Sequence, residues 1–455
     1  MISSLPHSLR FFLPLVLAAL GAMLCAMLVP VEIASVGQQL LGFPDSDVKA
    51  QEARPVILAV LCFLPALAAF IYSLGGTLDR YIARQFAGIF GICLTALIMI
   101  WLLMDLGNNI GDFLKSKKVI HTMAIYYAIR SPAILLLLLP YSLLLSLLYS
   151  LGKLSGSREI IAIIQAGHSV VRITLPLIIA GVFFSLMSLG LNYHWAPAAE
   201  GLTKEFLASS DGQPAAQASN VLYRNPIDRR LWEIGAFPQN YQMGKPLLDV
   251  EVTTTQEDMT LESRLFAKRA FWDRSNHSWT FEQSVIATYT PDQPPLFKKY
   301  DQPLVVANWS ETPWQLIKPG LSPSNLGIPD LNSWLQANSH HGQFANPAPY
   351  LTQWHYRWAL PFSCMVTVLL ATPLAIHFSR RGAGGGVFLA VVLSALMVLV
   401  SSISTALGDA GIIRPVMAAW LPNTAFALLG FYLFHRRISG LPIYLVLRRL
   451  LPGND

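Results

Sequence analysis

The sequence predicts an α-helical polytopic membrane protein, with about eight transmembrane helices and an inserted all-β domain. Composition is the first reason: of 455 residues 53% are hydrophobic and only 13% are charged, and mean hydropathy is +0.47, values that belong to integral membrane proteins. Distribution is the second. Apolar runs long enough to cross a bilayer lie at the two ends of the chain, and between Asn192 and Arg357 they give way to tryptophans, charges and alternating patterns.

In chain order the candidate spans are Phe11–Val29, Pro55–Leu74, Phe86–Leu106, Ser131–Leu151, Ile173–Leu191, Trp358–Phe378, Gly386–Leu407 and Pro415–Phe434. The first follows Arg10 and resembles a signal peptide. It is long, however, and no small-x-small cleavage site precedes Pro30, so it reads as a retained span. With the N-terminus inside, the inner loops and tails hold twelve Lys/Arg (Arg80, Arg84, Lys153, Arg158 and Arg172 among them) against seven in the short outer loops. The positive-inside rule favours that orientation. The net charge of +6 therefore reflects loop basicity and gives no reason to expect nucleic-acid binding. Cys25, Cys62, Cys93 and Cys364 all fall in apolar segments and read as small buried hydrophobes. The first two spans offer no evident chemistry and read as lipid-facing packing.

Strand-like pieces at Arg230–Phe237, Pro246–Thr255, Ser263–Trp272, Ser278–Tyr289 and Pro303–Asn308, separated by Pro, Asn, Asp and Gly turns, suggest a β-sandwich or open barrel. A short helix capped near Asp330 is expected on the way back to the membrane. The tail Leu441–Leu451 reads as an amphipathic stretch on the inner leaflet.

The loop Gly152–Arg172, GKLSGSREIIAIIQAGHSVVR, stands out because it joins two spans and yet carries a nearly apolar helix, Ile160–Ala166. Ser157 is its expected cap, Gly167 its stop and Ser169 the cap of the next span. Glu159 suits the first turn through the helix dipole, or forms a salt bridge to a partner's arginine. At the outer end of the third span, Asp105 and Asp112 are followed by Lys115, Lys117 and Lys118. Arg130 immediately precedes the next span. Lysines at an interface can meet lipid phosphates as point charges on flexible stems, and Arg130 reads as an anchor there. Asp409 is expected to cap an outer turn or to bridge to Arg414. There is no nucleotide-binding G-x-x-x-x-G-K-[ST], Gly382–Gly386 lacking the lysine. No metal-ligand spacing is present either, His340 and His341 reading as solvated linker residues. The sequence thus indicates no cofactor, no metal and no catalytic set.

The pattern LGKLSGSREIIAIIQAGHSVVRITLP resembles the corresponding loop of the LptF/LptG lipopolysaccharide export permeases. The resemblance continues in Leu78-Asp79-Arg80-Tyr81-Ile82 and Trp195-Ala196-Pro197, and spans Leu78 to Arg437. It implies a coupling helix within 155–168, with Ser157, Arg158, Glu159, Ile160, Ile163 and Gly167 facing a cytoplasmic ATP-binding subunit, itself a dimer. It also implies that Lys115, Lys117, Lys118 and Arg130 meet lipopolysaccharide, and that the inserted domain is a jelly-roll-like periplasmic unit handing lipid to a jelly-roll bridge protein. A paralogous or identical permease subunit would complete the transporter in the inner membrane of a diderm bacterium. On this reading residues 1–77 are an added transmembrane hairpin, 78–191 the first three family spans, 192–357 the periplasmic domain, 358–437 the last three spans and 438–455 a cytoplasmic tail. The chain itself would catalyse nothing, ATP being hydrolysed in the partner. The alternatives are a secondary transporter with a periplasmic cap, which would want mid-span ionisable residues, and a membrane-bound hydrolase, for which no G-x-S-x-G occurs.

Overall fold

A computed structural model describes residues 12–42, 46–115, 118–210, 216–225, 228–238, 246–256, 260–273, 276, 278–290, 293–307, 309–317, 322–338, 347–376 and 384–439. Expectations for Lys117, His340, His341, Gly382, Ala383 and the tail 441–451 fall outside them.

Among the described residues seven helices are long and apolar enough to span a membrane. They are α1 (Phe12–Gly42), α2 (Val48–Leu74), α3 (Thr77–Lys115), α4 (Val119–Gly156), α6 (Val170–Tyr193), α12 (Gly384–Asp409) and α13 (Pro415–Ile438), with α5 (Glu159–Gln165) between α4 and α6. The eighth expected span is a broken one. Helices α10 (Ala348–Ala359) and α11 (Phe362–Ala375) meet at an angle of 51° around Leu360-Pro361, since Pro361 cannot donate to the preceding turn. The helices run past the apolar stretches because leaving the hydrocarbon does not break hydrogen bonding. Asp47 caps α2 by accepting from Ala50 N.

The bundle is centred on α11, buried along nearly its whole length, and on Leu139–Leu154 of α4, with Ile82, Phe86, Leu177, Met397 and Phe426 around them. Close crossings rely on glycine. A Cβ at Gly181 would lie 2.9 Å from Val368, and one at Gly190 would lie 2.5 Å from Leu61, where α6 meets α2. Without a hydrophobic drive between helices in lipid, such close backbone approach supplies much of the packing energy.

After α6 the chain turns at His194 into α7 (Trp195–Ser210) and then into seven strands: β1 (Ala216–Asn225), β2 (Arg230–Pro238), β3 (Leu247–Thr255), β4 (Leu261–Asp273), β5 (Ser278–Thr288), β6 (Leu296–Tyr300) and β7 (Leu304–Ala307). The anticipated sandwich or barrel resolves into one antiparallel sheet. Strands β1 to β6 are consecutive neighbours, and β7 pairs with the first half of β5. One face carries Trp232, Ile234, Val250, Leu265, Trp279 and Phe281, and it is closed by Leu316 and Ile317 of the short helix α8 (Pro313–Ile317). Glu311, wholly buried, accepts from Arg230 at 2.8 and 3.0 Å and from Asn225 at 2.9 Å. These charge-assisted bonds fasten the linker to the sheet. Helix α9 (Ile328–Asn338) then leads back to α10.

Candidate functional site

Three constellations bear on function, one at each end of the bundle and one where the first two helices meet the connector.

The first is α5. Seven residues give little helix stability in isolation, so the helix depends on its contacts. Ile160 is fully buried, and Ile163 and Ile164 pack beside it on the bundle core. The covering that an apolar loop helix needs comes in part from the chain itself, burial of Ile160 being worth about 1.5–3 kcal/mol. Ala162, Gln165, Ala166, Gly167 and His168 remain exposed. Ser157 does not cap this helix. It ends α4 instead, its hydroxyl lying 3.0 Å from Lys153 O and 2.8 Å from Glu159 Oε1. The α5 N-cap position is held by Arg158 in a left-handed conformation, φ 59°, which for a residue with a Cβ costs about 1–2 kcal/mol. Strain of this kind persists where the surroundings over-determine it, often at working sites.

Glu159 is fixed from the other side: Tyr81 OH donates to its Oε2 at 2.6 Å. Beside it, Arg172 pairs with Asp79 at 2.7 Å. Gly167 (φ 89°) ends α5, with its N–H on Ile164 O and His168 N–H on Ile163 O, the paired bonds of a Schellman turn. Ser169 caps α6 by accepting from Arg172 N at 3.3 Å. Tyr81 was not foreseen as a partner of Glu159. It lies 78 residues upstream, and only the pairing of α3 with the α5 loop brings it there.

The second constellation is at the opposite end. Lys115 ends α3, and Lys118 is exposed immediately before α4, with no side-chain cap bond. Arg130 is tied into the bundle. It pairs with Asp105 at 3.3 Å, is bonded to Tyr126 OH, and lies over the Trp101 ring at 5.2 Å. Phe113 and Tyr127 complete the cluster. Asp105, one helix away in the α3–α4 hairpin, is buried rather than reaching water, so the pair neutralises itself at membrane depth. Asp409 accepts from Gln353 at 3.2 Å and forms no described bridge to Arg414.

The third lies just beyond the apolar runs of the first two spans, on the same helices. Glu32 and Gln39 of α1 lie seven residues apart and Gln51 and Arg54 of α2 three apart, so each pair shares a helix face. The two faces meet. Arg54, only 3% exposed, pairs with Glu32 and donates to Gln39 Oε1 at 2.7 Å and Gln51 Oε1 at 3.0 Å. Both amides then donate to Asp330 Oδ1, at 2.8 and 3.0 Å. Trp195 Nε1 reaches Glu32 at 3.4 Å, Tyr193 OH donates to Ala50 O at 2.9 Å, and Asp47 donates its N–H to Ser333 Oγ while its carboxylate accepts from Asn332. Asp330 is therefore a tertiary anchor in the first turn of α9 and not its cap. Burial alone would raise its carboxyl pKa. His194 at 3.6 Å, the Arg54 charge and the Gln51 amide outweigh that and hold it at about 2. A polar stripe at helical spacing was the signal available in the sequence, hidden because it lies beyond the apolar runs.

A family model described as lipopolysaccharide export system permease LptF/LptG matches residues 80–436. That interval contains the bundle from α3 to α13, the α5 loop and the β-sheet, and leaves α1 and α2 outside. A search of curated proteins gives no match to the chain. The match covers well over half of the sequence, and it begins beside the Tyr81 that holds Glu159. The chain thus belongs to the LptF/LptG family of lipopolysaccharide export permeases.

Proposed function

We propose that this permease is the non-catalytic transmembrane subunit of an ATP-driven transporter, which extracts lipopolysaccharide from the inner membrane and passes it to a periplasmic jelly-roll bridge. Its partners are a cytoplasmic ATP-binding subunit, a paralogous or identical permease, and the bridge protein, which receives lipid from the 192–357 domain.

The observation that carries this reading is the construction of α5. A loop helix with one face locked into the bundle and the other left exposed can pass a rigid push to the spans. Its inward anchors are Ile160, Ile163 and Ile164, so Ile160 acts as an anchor and Glu159, Ala162, Gln165 and Gly167 belong to the outward surface. Glu159, already fixed by Tyr81 and Ser157, needs little ordering to accept a partner's arginine. A partner can shift the permease between states only through a difference in affinity for them, and a preorganised contact keeps that difference from being spent on loop ordering. Lys115, Lys117 and Lys118 remain the proposed substrate contacts. Arg130 serves that end by placing Tyr126 and Trp101.

The test is affinity purification of the full chain in mild detergent, wild type against Glu159→Arg, followed by mass spectrometry and ATPase assay. Recovery of a P-loop ATPase with the wild type, reduced or uncoupled by the substitution, is expected. No ATPase with either form would contradict the assignment.

A further inference from the structure

A cavity of about 900 Å³ opens between α2, α3 and α6 at the end of the bundle that carries α5. Its walls are apolar: Leu64, Leu67 and Ile71 of α2, Phe86 and Phe90 of α3, Ile179 and Phe183 of α6. Helices α2 and α6 are pressed together at Leu61 and Gly190, where an added Cβ would come within 2.5 Å, and α2 joins α3 through Gly75-Gly76 at the mouth. On the α3 wall Gly88 has open space where a side chain would be.

The mouth is basic. Arg80 and Arg84, one turn apart on α3, both line it. Among the described residues Arg80 is held only by the carbonyl of Gly76, 3.3 Å from its Nε, and Arg84 is exposed with no partner. The one acid there, Asp79, is already paired with Arg172 at 2.7 Å. Two uncompensated guanidinium groups thus stand at headgroup level above a groove of acyl-chain character. As inner-loop arginines they also orient the spans, but orientation does not require a cavity beneath them.

We infer that this groove binds an anionic diacyl phospholipid of the leaflet on the α5 side, its phosphate between Arg80 and Arg84 and an acyl chain along α2 and α6. Basic pockets between helices at this face suit such headgroups, and guanidinium forks match phosphate oxygens. The site lies at the end of the bundle opposite the proposed lipopolysaccharide contacts, and it exists only because α1 and α2 stand beside the family core. The lipid would act as a fill between the hairpin and the foot of α3, next to the Tyr81–Glu159 contact.

The experiment uses the delipidated full chain in a neutral detergent, offered phosphatidylglycerol and phosphatidylcholine of identical chains in equal amounts, with bound lipid counted by native mass spectrometry. The wild type is expected to retain the anionic lipid in excess, and each arginine lost should cut that excess about fivefold. Arg84→Gln, at an exposed and unpaired position, tests this without threatening the fold. Gly88→Trp, which fills the groove, should lower retention of both lipids. Glycerol 1-phosphate should not compete. Equal retention of the two lipids, an excess unchanged in the Arg80→Gln/Arg84→Gln protein, or displacement by glycerol 1-phosphate would each overturn the inference.

Discussion

Arg54→Met is the most informative perturbation of the fold. The guanidinium is 3% exposed and makes the Glu32 pair together with bonds to Gln39 and Gln51. Its removal leaves the Glu32 carboxylate, 13% exposed, without its cation, and leaves two amide oxygens without a donor. Breaking a buried pair from one side costs about 3–5 kcal/mol. Each orphaned acceptor would add about 1–3 kcal/mol if the terms were independent. They share one site and do not add, so a total of about 3–5 kcal/mol is expected. The assay is unfolding in mixed micelles titrated with SDS, followed by circular dichroism, in a double-mutant cycle with Glu32→Gln. Because the double variant buries no lone carboxylate at Glu32, it should recover at least about 1 kcal/mol relative to Arg54→Met. A single-variant cost below about 0.5 kcal/mol, typical of a plain surface change, would refute the reasoning. So would a double variant no more stable than Arg54→Met.

The other expectations concern the same joints. Asp330 is held at about 2, below the ordinary carboxylate value near 3.9, so its charged form stabilises the fold above about pH 4. That contribution, roughly 2 kcal/mol, should vanish as pH falls from about 4 to 2. An acid titration of Asp330→Asn should show a flatter decline through the same window, and identical profiles would speak against the anchor. Gly190→Val drives a side chain into Leu61 and should cost about 1–3 kcal/mol by overpacking, measured in the same micelle titration. Arg158→Gly relieves the left-handed residue and should leave stability equal or higher by up to about 1 kcal/mol, whereas Arg158→Val should lower the unfolding midpoint. Tyr81→Phe removes a hydrogen bond to an exposed carboxylate. It should weaken ATPase coupling less than Glu159→Arg does, as read from turnover of the assembled transporter.

What the sequence made legible follows from period and composition. Seven spans emerge as continuous helices because twenty apolar residues leave the backbone no other way to satisfy its bonds in lipid. Of the strands, β2 to β5 alternate and were readable. Strand β1 opens on Ala, Gln, Ser and Asn and has Val221 as its single β-branched residue, and β6 is an exposed edge piece with two lysines. Both exist because a neighbour offers a free edge. Gly167 and Ser169 were legible because their effects are local. Ser157 misled because two helices share that corner and its hydroxyl serves the earlier one. The pairings Asp105–Arg130, Tyr81–Glu159 and Arg54–Glu32 join different helices, which a single sequence does not align. The position of Asp330, 279 residues from Gln51, was hidden for the same reason.

The central claim is that this chain moves lipopolysaccharide under a push delivered through α5. The measurement is lipopolysaccharide release from proteoliposomes containing the chain, its co-purified ATPase and a soluble acceptor, with and without ATP, for wild type and Glu159→Arg. ATP-dependent release by the wild type, lost in Glu159→Arg while lipopolysaccharide still binds, is the predicted result. Release that ignores ATP, or that proceeds equally in the variant, would contradict the account.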